Sequence, residues 1–137
     1  MDTNALIWFL NGDQLAAAAL VAIVEAQNSH GIFVSPISAW EAALAVRKLH
    51  GQPDLGGRDA AEWFRAVLKV PGTKLVRPSS KIAIEAAKVP SIYGHGDPGD
   101  CFIIATARVK KLPIVTRDRR MHRLAARRPD YLKTIRC

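Results

Sequence analysis

Carboxylates are the residues of this chain whose types and spacing suit chemistry, and the densest group lies between His95 and Asp118. Asp97 is a natural helix N-cap, Pro98 suits a first helical turn, and Ile103, Ile104 and Ala107 recur at helical spacing as one apolar stripe. Asp100 heads that stripe, three and four residues before the two isoleucines, so its carboxylate is expected along the buried face. A buried carboxylate needs a compensating partner. After Lys111 the chain turns at Pro113 into a short apolar strand ending at Thr116 and delivers Asp118 just past its carboxyl end. In open α/β sheets that end is where sites are built.

Two more acids occupy comparable places. Glu41 shares a helix side with Ile37, Leu44 and Ala45, an apolar stripe like that of Asp100. Asp2 precedes the first apolar helix. Each acid also has a plainer reading. Ser38 and Glu41 stand at capping-box spacing, although Pro36 at a first helical position would instead make Ser35 the cap. Asp97 reads best as a cap, Asp100 gains from the helix dipole, Asp118 suits a cap of the basic helix that follows, and Asp2 reads as a solvated terminus. Converging at the strand-to-helix junctions of one small sheet, such acids repel one another unless protons or cations offset their charge.

Carboxylate oxygens without histidine or cysteine neighbours suit a hard cation, Mg²⁺ or Mn²⁺, rather than zinc. Such an ion polarises a phosphoryl oxygen and lowers the pKa of a bound water. The chain carries a net charge of +8, and 11 of its 20 Lys and Arg residues fall between Arg108 and Arg136, against only Asp118 and Asp130. That asymmetry points to a polyanionic partner, with a basic surface lacking a dedicated ligand as the even alternative. Together the acids and the charge imply metal-dependent cleavage of nucleic acid.

The remaining chemistry-bearing residues add less. His30, His50, His95 and His122 show no metal-ligand spacing and read as surface or loop residues, with His95 the one beside the acids. Trp8, Trp40 and Trp63 sit inside apolar helices and read as core or interface anchors. Gly94, Gly96 and Gly99 are too irregular for a phosphate cradle and read as a mobile loop.

The elements that must position these acids follow from periodicity and punctuation. Helices are expected over about 3–10, 13–27, 35–49, 59–69, 79–90, 97–111 and 119–126, and short strands over 32–35, 74–76, 112–116 and 131–135. Asp59 and Glu62 have capping-box spacing, and Pro90 marks a helix end. Strands alternating with helices argue for an α/β domain, a small parallel sheet sandwiched by helices. Such a sheet ordinarily has a strand before Asp2, where only Met1 stands, so the first strand is expected to be truncated.

A chain of 137 residues suits one domain, residues 1–137. The longest apolar run, Leu15 to Val24, is too short for a bilayer, so no membrane partner is expected. The N-terminus has no basic segment followed by an apolar one, which argues against a secretory leader. Cys101 and Cys137 form no metal or disulfide pattern, which fits a reducing, cytoplasmic setting.

Four stretches in order resemble the acidic blocks of PIN-domain ribonucleases, most of all the VapC toxins of prokaryotic type II toxin–antitoxin modules. They are Asp2-Thr-Asn-Ala-Leu-Ile-Trp, Val34-Ser-Pro-Ile-Ser-Ala-Trp-Glu-Ala-Ala, His95-Gly-Asp-Pro-Gly-Asp-Cys-Phe-Ile-Ile-Ala-Thr-Ala and Leu112-Pro-Ile-Val-Thr-Arg-Asp. The resemblance implies a parallel sheet of about five strands between helices and a Mg²⁺- or Mn²⁺-dependent endoribonuclease. It implies Asp2, Glu41, Asp100 and Asp118 as catalytic metal ligands, Asp97 as a neighbour, and Thr3, Asn4 and Thr116 as residues that orient carboxylates. An RNA surface of Arg117, Arg119, Arg120 and Arg123 would go with it. It further implies a homodimer, a VapB-type antitoxin that covers the acidic pocket, and tRNA or rRNA as the class of target, cleaved to inhibit translation. Cys101 stands where an Arg is common in such proteins, which implies an altered substrate contact. The alternatives are a catalytically weak PIN-like module that binds RNA or an antitoxin, and a metal-dependent phosphatase of another α/β class. Against the second, an early Asp-x-Asp is lacking, since Asp2 is followed by Thr3 and Asn4.

Overall fold

The computed structural model describes residues 1–137 and contains seven helices and four short strands. In chain order these are α1 (Thr3–Asn11), α2 (Ala17–Asn28), β1 (Ile32–Val34), α3 (Ile37–Ala45), α4 (Ala60–Lys69), β2 (Thr73–Leu75), α5 (Ser80–Tyr93), α6 (Pro98–Lys110), β3 (Ile114–Thr116), α7 (Arg119–Arg127) and β4 (Thr134–Arg136). The α/β architecture expected from the alternation of elements is present.

The strands form two parallel pairs, β1 with β2 (Ile32 opposite Thr73) and β3 with β4 (Ile114 opposite Thr134). Instead of a fifth strand, two residues tie the pairs together. The α-ammonium of Met1 donates to the Phe33 carbonyl at 3.3 Å, and the Asp2 N–H donates to the Val115 carbonyl at 3.1 Å. Asp2 is therefore held at the junction of β1 and β3.

Local chemistry sets the helix starts. The Asp2, Asp59, Ser79, Asp97 and Asp118 side chains all accept backbone N–H bonds from the first turns they cap, and Asp59 with Glu62 forms the complete capping box. Two ends differ from expectation. α3 stops at Ala45 rather than near Leu49, whose side chain is almost wholly exposed and has no packing to hold a further turn. α5 does not end at Pro90 but runs through it to Tyr93, where Gly94 closes it at φ 72°. A proline inside a helix costs about 3 kcal/mol in an isolated segment. Here the flanking residues recover it in packing, with Val89 fully buried and Ile92 and Tyr93 against the core.

The core has two parts. Leu6, Ile23, Val34 and Trp63 centre one beneath α1, α2 and α4, and Ile82, Ile104, Ile114 and Met121 centre the other among α5, α6, β3 and α7. Cys101 is buried in the second part, its thiol packed into the core. Both cysteines are free. No helix is long and apolar enough to cross a membrane.

Candidate active site

The carboxyl ends of the strands carry the acids. Asp2 follows Met1 and caps α1 with Oδ1, which accepts from the Ala5 N–H at 2.7 Å. Its Oδ2 accepts from the hydroxyl of Thr116, the last residue of β3, itself fully buried. That same hydroxyl accepts from the Asp118 N–H at 2.9 Å, so one threonine links the Asp2 carboxylate to the start of α7. The solvated-terminus reading of Asp2 does not hold, since the residue is only 8% exposed.

Glu41 lies on α3 and does not form a capping box with Ser38. The Ser35 hydroxyl takes the first-turn N–H of Ile37, and Ser38 is fully buried inside the helix. Glu41 Oε2 instead accepts from the Thr3 hydroxyl at 2.5 Å, and Thr3 Oγ1 also lies 2.9 Å from Ser38 Oγ. The carboxylate rests directly on the first turn of α6. A Cβ at Gly99 would collide with it, 2.8 Å from Glu41 Cγ and closer still to Oε1. Gly99 is thus a packing requirement of the site and is itself buried, not a loosener of a loop.

Asp97 caps α6, its Oδ1 accepting from the Gly99 and Asp100 N–H groups at 2.9 and 3.3 Å, as its sequence position predicts. Asp100 is half-buried and accepts at Oδ2 from the Tyr93 hydroxyl at 3.1 Å. Carboxylate oxygens of Glu41, Asp97 and Asp100 all lie within 4.8 Å of one another. Asp2 and Asp118 stand outside that trio but are close enough for their charges to raise the Asp100 carboxyl.

Burial dominates the electrostatics. It pushes the Glu41 carboxyl up to about 7, with Asp100, Asp97 and Asp2 adding to the rise against the Thr3 hydrogen bond. Asp100 is pushed up to about 6 by burial and by the charges of Asp97, Asp118 and Asp2, while the Tyr93 hydrogen bond opposes the shift. Asp2 is likewise raised by burial, against hydrogen bonds from Thr116 and Ala5. Acids held above their ordinary range by one another and by a dry setting are poised to release protons to a cation. The donor set is oxygen only, and a Cβ-free helical turn leaves room for three carboxylates to converge. A hard divalent ion fits it.

Other expected residues fall less close. Asp118 Oδ1 accepts from the Arg120 and Met121 N–H groups at 2.6 and 2.8 Å, a helix cap. Asn4 is exposed and makes no side-chain hydrogen bond. The Arg117 guanidinium is engaged within the fold: Nε donates to the Cys137 carbonyl at 2.9 Å, Nη2 to the Gln14 carbonyl at 2.5 Å, and its carbon lies 4.1 Å from the centre of the Trp8 ring. Arg119, Arg120 and Arg123 on α7 are exposed and form no ion pair. His122 is not a surface residue; it is half-buried, Nδ1 lying 2.8 Å from Thr134 Oγ1 and Nε2 3.1 Å from the Thr116 carbonyl. His95 stacks on Tyr93 with ring centres 6.0 Å apart.

Sequence reasoning missed Tyr93, Ser38 and Gly99. Pro90 concealed the first by marking a helix end three residues too early. The roles of the other two exist only where α1, α3 and α6 meet.

The sequence matches the PIN domain family over residues 1–127. No curated protein matches it significantly. Among solved structures, a chain in the crystal structure of VapBC2 from Rickettsia felis bound to a DNA fragment from their promoter is similar in fold, with a TM-score of 0.66. The likeness covers 98% of this chain and 94% of that one at 14% sequence identity. With the family matched across nearly its whole length and its acids gathered at the ends of parallel strands, this chain belongs to the PIN-domain family.

Proposed function

We propose that the protein is a metal-dependent endoribonuclease, the toxin of a VapBC-type pair. The observation that carries the reading is the convergence of Glu41, Asp97 and Asp100 against Gly99, with Asp2 nearby, beside a helix rich in free arginines. Glu41 and Asp100 would hold a Mg²⁺ or Mn²⁺ ion, with Asp2 and Asp118 completing the acidic ring and Asp97 serving chiefly as the cap that aims Asp100. When bound, such an ion supplies a nucleophilic water at neutral pH and neutralises charge on the phosphate undergoing attack.

The chain's own groups do the rest. Thr3 fixes the rotamer of Glu41, Thr116 fixes that of Asp2, and Tyr93 holds Asp100 by a hydrogen bond to its Oδ2. Arg119, Arg120 and Arg123 would bind the ribose-phosphate backbone electrostatically, which positions RNA without reading its sequence. The VapBC2 neighbour supports a VapB-type antitoxin as partner, and tRNA or rRNA is the class of target that goes with this reading. The outer face of α2, with Leu20, Val21 and Val24 each about half exposed, offers apolar surface to a homodimer. The free cysteines accord with a reducing cytoplasm.

The test is cleavage of total cellular RNA with Mg²⁺, with Mn²⁺ and with a chelator, beside Asp100→Asn. Discrete fragments that need metal and are missing from the mutant lane are expected. Intact RNA in every lane, together with retained RNA binding, overturns the enzyme in favour of a binding module.

A further inference from the structure

The helices α6 and α7 both start at the acids, capped by Asp97 and Asp118, and both carry basic residues in their last turns. At about 1.5 Å per residue, Arg108 stands about 12 Å along α6 from Asp100, and Arg127 about 13 Å along α7 from Asp118. There the helix ends and the loop into β4 enclose two adjoining clefts of about 300 and 430 Å³. Arg108, Lys111, Arg127, Arg128 and Lys133 line them, against the single acid Asp130.

This charge is not neutralised within the fold. Both ion pairs of the chain go to Glu85, from Lys88 and from Arg108, so the other four cations of the clefts have no carboxylate partner. Helix dipoles favour cations at C-terminal turns, which accounts for Arg108 and Arg127 but not for Lys133, a residue outside any helix. Arg108 is moreover fixed in place. Its Nε donates to Glu85 Oε1 and its Nη1 to the Tyr131 carbonyl, each at 2.6 Å, while its carbon stacks 3.5 Å from the centre of the Tyr131 ring. Nη2 donates to nothing in the chain. A planar guanidinium held rigid with one free edge suits a phosphate oxygen.

A row of charge joins the clefts to the acids. Arg119, Arg123 and Arg127 stand at i, i+4 and i+8 on the side of α7 opposite the buried Met121 and Leu124. The row begins beside Asp118 and ends at Arg127 in the cleft wall.

We propose that the clefts are a distal phosphate subsite for the same single RNA strand that the acids would cut, reached along the arginine row of α7. The inference rests on the nuclease reading for its ligand. A backbone phosphate accepts from Arg108 Nη2 between Arg127 and Arg128, and Lys111 and Lys133 attract the next one. Such contacts hold the strand in register without reading its bases.

The experiment titrates the full chain with a labelled single-stranded RNA of about 12 nucleotides, in chelator to prevent cutting, at several salt concentrations. Arg127→Gln/Arg128→Gln is compared with Arg65→Gln/Lys69→Gln, an equal loss of charge on α4. The cleft variant is expected to bind about tenfold more weakly, with a salt slope lower by about 1.4, two contacts at about 0.7 each. Lys133→Gln, a second and smaller change, is expected to lower the slope by about 0.7. The α4 variant should bind within about twofold of the parent, and the parent should take one RNA per chain. Binding by the cleft variant within about twofold of the parent overturns the proposal, as does an equal loss in the α4 variant. Two RNAs per chain overturn the single strand. If millimolar inorganic phosphate at constant ionic strength abolishes the difference between parent and cleft variant, the subsite takes a free anion instead. A parent that cuts no RNA but shows the expected slopes removes the nuclease and keeps the subsite, whereas a cleft variant that binds and cuts like the parent removes the subsite alone.

Discussion

Glu41 rests on Gly99. The carboxylate of an α3 residue occupies the place where any other side chain at position 99 would put its Cβ. Gly99→Ala should therefore displace Glu41 while favouring the α6 helix by up to about 1 kcal/mol. The expected outcome is loss of RNA cleavage by roughly 100-fold or more, as for a misplaced catalytic group, with far-UV circular dichroism unchanged. Cleavage rates measured beside a thermal melt check it. Wild-type activity in Gly99→Ala would remove Glu41 from the metal set.

The raised carboxyls make stability fall as pH rises. Glu41 at about 7 and Asp100 at about 6 hold protons in the folded chain that the unfolded chain has already released, so the folded state binds more protons between about pH 4 and 7. Stability of the metal-free protein should be highest near pH 4–5 and decline toward pH 7.5. Asp100→Asn should flatten that decline and raise the melting temperature at pH 7.5 by about 2–4 °C, allowing for solvent screening at a half-buried group. Tyr93→Phe removes the hydrogen bond that opposes the Asp100 shift, so the pH at which activity appears should move upward. Melts and pH–rate profiles decide both.

Thr116 donates to Asp2 and accepts from the Asp118 N–H, and it is fully buried. Thr116→Val keeps the volume and deletes both bonds, leaving one oxygen of a buried carboxylate without a partner. A loss of about 1–3 kcal/mol in urea unfolding is expected, with Thr116→Ser restoring most of it. Equal stability of the valine and serine variants would mean the hydroxyl does not hold Asp2.

The arginines should separate into two kinds. Neutralising Arg119, Arg120 and Arg123 together should weaken RNA binding and lower its salt slope by roughly 2, at about 0.7 per phosphate contact on a single strand. Arg117→Ala should leave the slope unchanged and instead lower stability, because its guanidinium ties the Cys137 and Gln14 carbonyls and packs on Trp8. Filter binding at several salt concentrations, with melts, distinguishes them.

Residue type and spacing alone determined the element order, the caps at Asp59 and Asp97, and the burial of Asp100 at the head of an apolar stripe, because these depend on neighbours within a turn or two. The alternation of short strands with helices was enough for the fold class. Asp2 is a different case. Its backbone depends on β3, which lies more than a hundred residues away, and Met1 with Asp2 stands in the ladder where a fifth strand was expected. Glu41 shows the same limit, since its Ser38 spacing fits a cap and only the approach of Thr3 and Gly99 settles its partner. Pro90 misled because the cost of a helical proline is local while the packing of Val89 and Tyr93 that offsets it is not. Tertiary structure decided which acids meet and which arginines remain free. Those are distances between segments remote in the chain, and no local rule carries them.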